Sequence, residues 1–338
     1  MNNFDDNTTL QQSILFQQQA LVAVSRSFAL TIPQLPEPIQ DAVANCYLWC
    51  RITDTIEDDA KLTIGQKQQF HQQLIKILQD QLDHNQFITD LLPKLSIDTP
   101  TAEKLLITNL TLVLNITNSL PKTQQALIKQ CVINMNQLMP QFEQTASLNG
   151  LNTIKDFDNY CYAVAGVVGE MLTGIFSDHC QIPSHQQSHL MKLSKSFGQA
   201  LQMTNILKDR WTDYARNICW LPKDYFANDN FKQLLKNPND QLFTNGIKKL
   251  VKLNYQHLHN ALNYVTMLPN NQIGIRRFCL WAIGIAVATL KNIYNNPNFT
   301  NVKQIKISRL KLKFIIFITN RIVKYNWLLK AWFKLILL

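Results

Sequence analysis

A chain of 338 residues, 46% of them hydrophobic, can bury a large core, and 9 glycines and 12 prolines are too few to punctuate many short strands. That excludes a disordered chain and points to an all-α fold. The net charge of +10 is unevenly spread: every Asp and Glu lies at or before Asp240, so residues 1–240 carry 18 Lys and Arg against 23 acids (−5), and residues 241–338 carry 15 against none (+15).

The opening stretch, Met1 to Gln12, is acidic and polar, with no apolar core and no cleavage-like site, so it does not read as a secretory signal and a cytoplasmic start is expected. Helical spacing of apolar residues then recurs through Gln11–Ala29, Pro38–Ile56, Ile64–Leu82, Ala102–Asn118, Gln124–Met139, Ile154–Phe176, Gln187–Lys208, Phe243–Leu268 and Ile275–Tyr294. The irregular segment Asp83–Pro100 reads as a loop. Prolines mark the connections, and none of these is long enough to link separate domains. The expectation is one helical domain over 11–305 followed by a basic amphipathic tail over 306–338. The seven cysteines are odd in number and scattered through apolar helical runs, which predicts buried free thiols. His257-Leu258-His259 has no carboxylate or cysteine nearby in sequence and reads as surface.

The tail differs in kind. Lysines and an arginine interrupt the apolar residues from Leu310 to Leu338, leaving no run near the ~20 residues of a membrane span. At about 100° per residue, Phe314, Ile318, Ile322, Tyr325, Leu329, Trp332 and Ile336 share one face, which Thr319, Asn320, Lys324, Lys330 and Lys334 avoid and Arg321 disrupts. Two readings stay open: a helix lying in a membrane interface, giving peripheral membrane contact, or a last helix packed on the core with a solvated basic face, in which Trp327, Trp332 and Phe333 are core. A nucleic-acid partner is not expected, because the basic third contains no recognised module or compact aromatic–basic surface.

Chemistry concentrates in two acid-rich stretches, Asp54-Thr55-Ile56-Glu57-Asp58-Asp59 and Asp209-Arg210-Trp211-Thr212-Asp213. On a helix, positions four apart share a face, so Asp54 projects with Asp58 and Asp209 with Asp213. Two such faces opposed can hold hard cations. Mg²⁺ takes oxygen ligands and binds through one or two carboxylates plus phosphate oxygens, so an acidic wall can bind an anionic substrate.

Around these stretches stand Ser25-Arg26-Ser27-Phe28, then Tyr47-Leu48-Trp49-Cys50-Arg51, then Tyr160-Cys161-Tyr162-Ala163-Val164-Ala165-Gly166-Val167-Val168-Gly169-Glu170, and finally Gln202-Met203-Thr204-Asn205-Ile206-Leu207-Lys208. A lone DxxxD is common. These blocks, in this order and spacing, closely resemble the squalene/phytoene synthase family of head-to-head prenyl transferases, from about Ser25 to Arg309.

The resemblance implies an isoprenoid synthase-type helical bundle with a central apolar cleft. It implies Mg²⁺ held by Asp54, Asp58, Asp209 and Asp213, with Gln202 and Asn205 facing the cluster and Asn205 among the ligands. Ser25, Arg26 and Arg51 match diphosphate contacts, where an arginine suits bidentate oxygen recognition. Tyr160 matches the family's active-site tyrosine, Tyr47 and Phe28 match other pocket aromatics, and Val164, Gly166 and Val168 would line a prenyl channel. Lys208 and Arg216 match further diphosphate-side cations, and the run Lys303 to Arg309, with Lys306 and Arg309, resembles a segment implicated in NADPH binding. These residue types fit the implied chemistry, in which metal must neutralise charge growing on a departing diphosphate and aromatic faces stabilise a carbocation without attacking it.

Three positions depart from the family pattern. Lys208 stands where an arginine is usual, Ile218 replaces a second arginine after Asp213, and Ala282-Ile283 stand where eukaryotic squalene synthases have Pro and Gln. The first motif and the Ser25-Arg26-Ser27-Phe28 opening are more like squalene synthases than phytoene synthases. The implied reaction joins two isoprenoid diphosphates through a cyclopropyl diphosphate, two farnesyl diphosphates giving presqualene diphosphate and, with NADPH, squalene. A phytoene or dehydrosqualene synthase, working without NADPH, is the alternative within the family. A catalytically silent helical assembly protein is the alternative of another class.

Overall fold

The computed structural model describes residues 2–226 and 230–337. Met1, which opens the acidic stretch, and Leu338, which ends the expected tail, lie outside them. Among the described residues every regular element is helical, with one isolated bridge between Leu151 and Pro222. The chain forms two compact units, residues 1–144 with 174–179 and residues 145–173 with 180–338.

The first unit contains α1 (Asn2–Val24), α2 (Glu37–Asp58), α3 (Ile64–Leu78), α4 (His84–Leu91), α5 (Thr101–Thr108), α6 (Leu110–Ser119) and α7 (Lys122–Leu138). Helix α2 has Pro38 in its first turn, where a missing N–H costs nothing, and it packs against each of α1, α3, α5, α6 and α7. Its buried apolar positions include Ile39, Val43, Cys46, Trp49, Ile52 and Ile56, a stripe of helical period.

Several polar groups buried along α2 are bonded to its neighbours. The Trp49 indole donates to Thr117 Oγ1 (3.0 Å), Thr117 donates to Asn45 Oδ1 (2.7 Å), and Asn45 Nδ2 donates to the Val113 carbonyl (2.9 Å). A second network joins α2, α3 and α7. Asn136 Nδ2 donates to Thr53 Oγ1 (3.0 Å), while the ring nitrogens of His71 meet Asn136 Oδ1 at 2.6 Å and Glu143 Oε1 at 2.8 Å. Such networks fix the rotation and depth of α2, because a half-turn slip would strand each buried group.

Two sequence expectations change here. The segment Asp83–Pro100 is not a loop: Asp83 caps α4 by accepting from Asn85 N, and Phe87 and Leu91 are fully buried. Its apolar residues are too few for their period to show. The expected helix Ala102–Asn118 is broken at Asn109, whose side chain bonds back to the Leu105 carbonyl and diverts the backbone.

The second unit contains α8 (Ile154–Cys161), a π-helical turn over Tyr162–Gly166, the first part of α9 (Val167–His179), α10 (Ser184–Ala215), α11 (Gln241–Met267), α12 (Ile273–Asn295), α13 (Arg309–Ile322) and α14 (Asn326–Leu337). Helix α10 packs against the π turn, α11 and α12. Gly198 permits the first of these contacts: a Cβ there would collide with the Ala165 carbonyl and sit 2.9 Å from Gly166 Cα. The segment Ile154–His179 and α12 are long and apolar enough to cross a membrane, yet both are mostly buried within the protein, as core helices are.

The tail is not one continuous helix. A turn at Val323–Tyr325 separates α13 from α14, so the single face expected from Phe314 to Ile336 does not form. Leu329 of that face is buried, together with Ile315, Thr319, Val323 and Phe333 from outside it, while Phe314 and Tyr325 are exposed. Thr319, expected to avoid the apolar face, is fully buried because its hydroxyl bonds to the Ile315 carbonyl (2.7 Å). Fully buried Arg276 clamps the turn through the carbonyls of Val323 (2.9 Å) and Leu268 (2.8 Å) and through Asn326 Oδ1 (2.5 Å). Phe333 is core as the packed reading requires, whereas Trp332 is half-buried and Trp327 is exposed.

Candidate active site

Asp54 and Asp58 lie in the first unit, Asp209 and Asp213 in the second. In the first, α2 presents a ladder of candidate side chains about one turn apart: Tyr47, Arg51, Asp54 and Asp58. Arg51 Nη2 donates to the Tyr47 hydroxyl (3.0 Å), and Arg51 Nη1 lies 3.9 Å from both Asp54 Oδ2 and Glu103 Oε1. The Tyr47 ring packs on Phe28, centroids 5.0 Å apart. Ser25 is buried and accepts from Phe28 N (3.0 Å), so it sets the turn that delivers Phe28, while Arg26 is exposed beside it.

Burial pushes the Asp54 carboxyl up to about 7; Arg51 draws it down, and Asp58, Cys50 and Glu103 push it up. Its Oδ1 is buried with no hydrogen-bond partner. A half-buried carboxylate with an unused oxygen, beside an exposed carboxylate one turn on, is short of positive charge. Asp59, in the same acidic run, is spent structurally. It accepts from the backbone N–H groups of Lys61, Leu62 and Ser96 and from the Thr99 hydroxyl, which outweighs burial and holds its carboxyl below the usual range.

Glu103 is a functional candidate that the sequence does not reveal. It accepts from Thr55 Oγ1 (3.1 Å) and shares Arg51 with Asp54. Nothing in its own neighbourhood announces this, because the contact joins α5 to α2 across 48 residues.

In the second unit, Gln202, Asn205, Asp209 and Asp213 fall within one stripe of α10, as a period of about 3.6 requires. Asp209 Oδ2 is paired with Lys208 Nζ at 3.1 Å, and Asp213 Oδ1 with Arg216 Nη2 at 2.6 Å. Arg216 closes the helix, and Asn217, at φ +61°, turns the chain so that Ile218 N bonds back to the Asp213 carbonyl (3.0 Å). Position 218 therefore serves the helix end.

Tyr160 is buried and stacks on Trp220, centroids 4.0 Å apart and planes 16° apart. Val164 and Gly166 lie buried in the π turn, with Val168 half-buried beyond it. A π-helical turn is rare and frequent at functional sites. Here it follows Tyr160, and Gly166 lies against Gly198 of α10. Lys306 and Arg309 are exposed between Ile305 and the body of α13, and no described contact joins them to Asp209 or Asp213.

All seven cysteines are free and six are buried, with Cys180 half-buried. The sulfurs of Cys46, Cys50 and Cys131 lie within 4.8 Å of one another, a juxtaposition across α2 and α7 invisible in the sequence. His257 is not simply surface: it lies 2.9 Å from Ser196 Oγ and 3.8 Å from Asp158 Oδ1, a carboxylate 99 residues earlier, whereas His259 is exposed.

Known structures share this architecture. A ligand-bound TcSQS aligns with a TM-score of 0.75 at 23% identity, covering 96% of this chain and 91% of its own. A ligand-bound dehydrosqualene synthase aligns at 0.67 and 17% identity, covering 94% and 99%. The class this defines is one of fold, the helical fold that these synthases have. Within it, the family model for squalene/phytoene synthase matches residues 21–311, and the chain belongs to that family. The squalene synthase of Saccharomyces cerevisiae is 29% identical over 294 residues, and that of Schizosaccharomyces pombe 26% over 308. These alignments take in 82% and 89% of this chain but only 61% and 64% of the yeast proteins, so the chain spans about three fifths of its relatives' length.

Proposed function

We propose that this protein condenses two isoprenoid diphosphates head to head, two farnesyl diphosphates giving presqualene diphosphate and then squalene. The observation that carries this reading is the retention, within a family match over residues 21–311, of both carboxylate pairs, each flanked by a cation. A silent assembly protein would have no use for Asp54, whose buried oxygen has no partner.

Each unit carries donors that fit Mg²⁺: carboxylate oxygens of Asp54 and Asp58 in the first, and of Asp209 and Asp213, with Asn205, in the second. Bound there, Mg²⁺ supplies the positive charge that stabilises a leaving diphosphate. The chain's own residues do the rest. Arg51, tethered by Tyr47, presents a fixed guanidinium to phosphate oxygens. Lys208 and Arg216, paired with Asp209 and Asp213, would be the cations left for substrate phosphates if those carboxylates held a divalent ion. The stacked Tyr160 and Trp220 rings in one unit, and Phe28 on Tyr47 in the other, are π faces of the kind that stabilise a carbocation without attacking it.

In the first step, C1 of one farnesyl unit bonds across C2–C3 of the other, with loss of one diphosphate and a proton. In the second, ionisation of the cyclopropyl diphosphate and hydride transfer from NADPH release the other diphosphate, NADP⁺ and squalene. The exposed cations Lys306 and Arg309, in a segment devoid of acids, suit the phosphates of NADPH. Peripheral contact with a membrane belongs to the same reading, since substrate tail and product are both apolar.

The test is incubation of the purified chain with farnesyl diphosphate and Mg²⁺, with and without NADPH, followed by lipid chromatography. Squalene formed only with NADPH is the expected result. Dehydrosqualene formed equally in both arms would instead favour the dehydrosqualene reading, which the fold shared with such a synthase supports. No product in either arm would overturn the enzymatic reading.

A further inference from the structure

Three thiols converge within the first unit, and the reaction proposed above uses none of them. Cys46 and Cys50 stand one turn apart on α2, and Cys131 meets them from α7, which packs on that helix. The three sulfurs lie within 4.8 Å of one another, and Cys46, Cys50 and Cys131 are 0%, 7% and 3% exposed. A single buried thiol is ordinarily a small apolar filler. These thiols instead hydrogen-bond among themselves, so their sulfurs point at a common centre. Hydrogen bonding with Cys131 and Cys50, and then burial, pushes the Cys46 thiol well above the usual range. Hydrogen bonding with Cys131, and then burial, does the same to Cys50, with Cys46 pulling the other way. Both sulfurs on α2 therefore carry their protons.

With metal–sulfur bonds of about 2.3 Å, three sulfurs around one centre lie roughly 3.5–4 Å apart, so the widest separation here has to shorten by only about 1 Å. Among the described residues no histidine nitrogen or carboxylate oxygen joins the group, which makes it a site of three ligands, all sulfur. Thiolates select soft acceptors over hard cations such as Mg²⁺. Burial then narrows the choice, because an uncompensated charge in the core is costly. Three thiolates around Zn²⁺ leave one negative charge, and around Cu⁺ two; around trivalent arsenic they leave none. Trivalent arsenic also takes three ligands in a pyramid, with a lone pair in the fourth direction, and needs no further donor.

We infer that Cys46, Cys50 and Cys131 form a binding site for trivalent arsenic, taken up as arsenous acid. The exchange balances without any change of charge. As(OH)₃ and three S–H groups give one arsenic bonded to three sulfurs and three waters, each thiol proton leaving on a hydroxide of the acid, and nothing is oxidised or reduced. Uncharged acid, protonated thiols and uncharged product all suit a buried site. The inference stands apart from the proposed reaction.

The experiment uses the full chain, reduced with a phosphine because added thiols would compete. It is held overnight with sodium arsenite, long enough for α2 and α7 to part locally. Native mass spectrometry should show one arsenic gained per chain with three hydrogens lost, and X-ray absorption at the arsenic edge should show three sulfur neighbours and no oxygen. Cys131→Ala and Cys46→Ala should each weaken binding by about 100-fold or more, because the third arsenic–sulfur bond is made within one molecule. Far-UV circular dichroism checks that both fold, and if one does not, the other decides. Cys180→Ala, at the half-buried thiol outside the group, should bind as the parent does. No arsenic on the parent, or undiminished binding by the folded cluster variants, would overturn the site. Two sulfurs and an oxygen around the arsenic would overturn the three-thiol assignment, and Zn²⁺ held more tightly than arsenite in competition would overturn the choice of a trivalent centre.

Discussion

Asp54 carries the sharpest consequence at the scale of single residues. Its carboxyl titrates near 7 because burial disfavours the charge, partly offset by Arg51, with Asp58 adding repulsion. An acid whose folded value lies above its unfolded one, 3.8, favours the folded state when protonated, so that stability is present at low pH and is lost as pH rises through the folded value. Without divalent ions, the melting temperature of the parent relative to Asp54→Asn should therefore fall between about pH 4 and pH 7 and then level off. A flat difference across that window would show that Asp54 is not held in this environment. Asp54→Asn and Asp209→Asn should each cut turnover by about 100-fold or more with circular dichroism unchanged, since each removes oxygen charge from a pair proposed above to hold Mg²⁺. The spacing of these acids is legible in the sequence because it depends only on helical period. The pairing of Arg51 with Glu103 is not, because it depends on α5 meeting α2.

At the scale of elements, small residues and buried polar groups set where the functional helices lie. Gly198 lets α10 approach the π turn after Tyr160, and Gly198→Ala would push a methyl group into the Ala165 carbonyl. The expected cost is about 1–3 kcal/mol in urea unfolding, together with a loss of turnover larger than stability alone explains, because the turn carries Val164 and Gly166. Asn136→Ala would take one buried partner each from Thr53 Oγ1 and His71 Nδ1, at a cost of about 1–3 kcal/mol measured the same way. Long helices with strong period, such as α2, α11 and α12, are readable from spacing alone. The short α4 escapes such a reading because eight residues carry barely two turns of pattern, and the break at Asn109 escapes it because one side-chain bond to the backbone makes it.

For the whole molecule, charge and the tail are the governing features. The tail is held by Arg276, which reaches both Leu268 on the body and the Val323–Asn326 turn. Arg276→Met should cost about 1.5–3 kcal/mol for each lost charged hydrogen bond, less than their sum, and limited proteolysis should then cut first near Val323. Cleavage elsewhere in that variant would show that the clamp is not what holds the tail.

The all-α class, the two carboxylate pairs, the free buried thiols and the basic last third follow from residue types and their spacing, because helical period and net charge are local or additive properties. The tertiary structure decided which face of the tail is buried, that Asp59 and Ile218 serve the ends of their helices, and that Glu103 shares Arg51. Each of those depends on a contact between segments far apart in the chain or on backbone geometry at a helix end, where packing and hydrogen-bond satisfaction outweigh any pattern within a single helix.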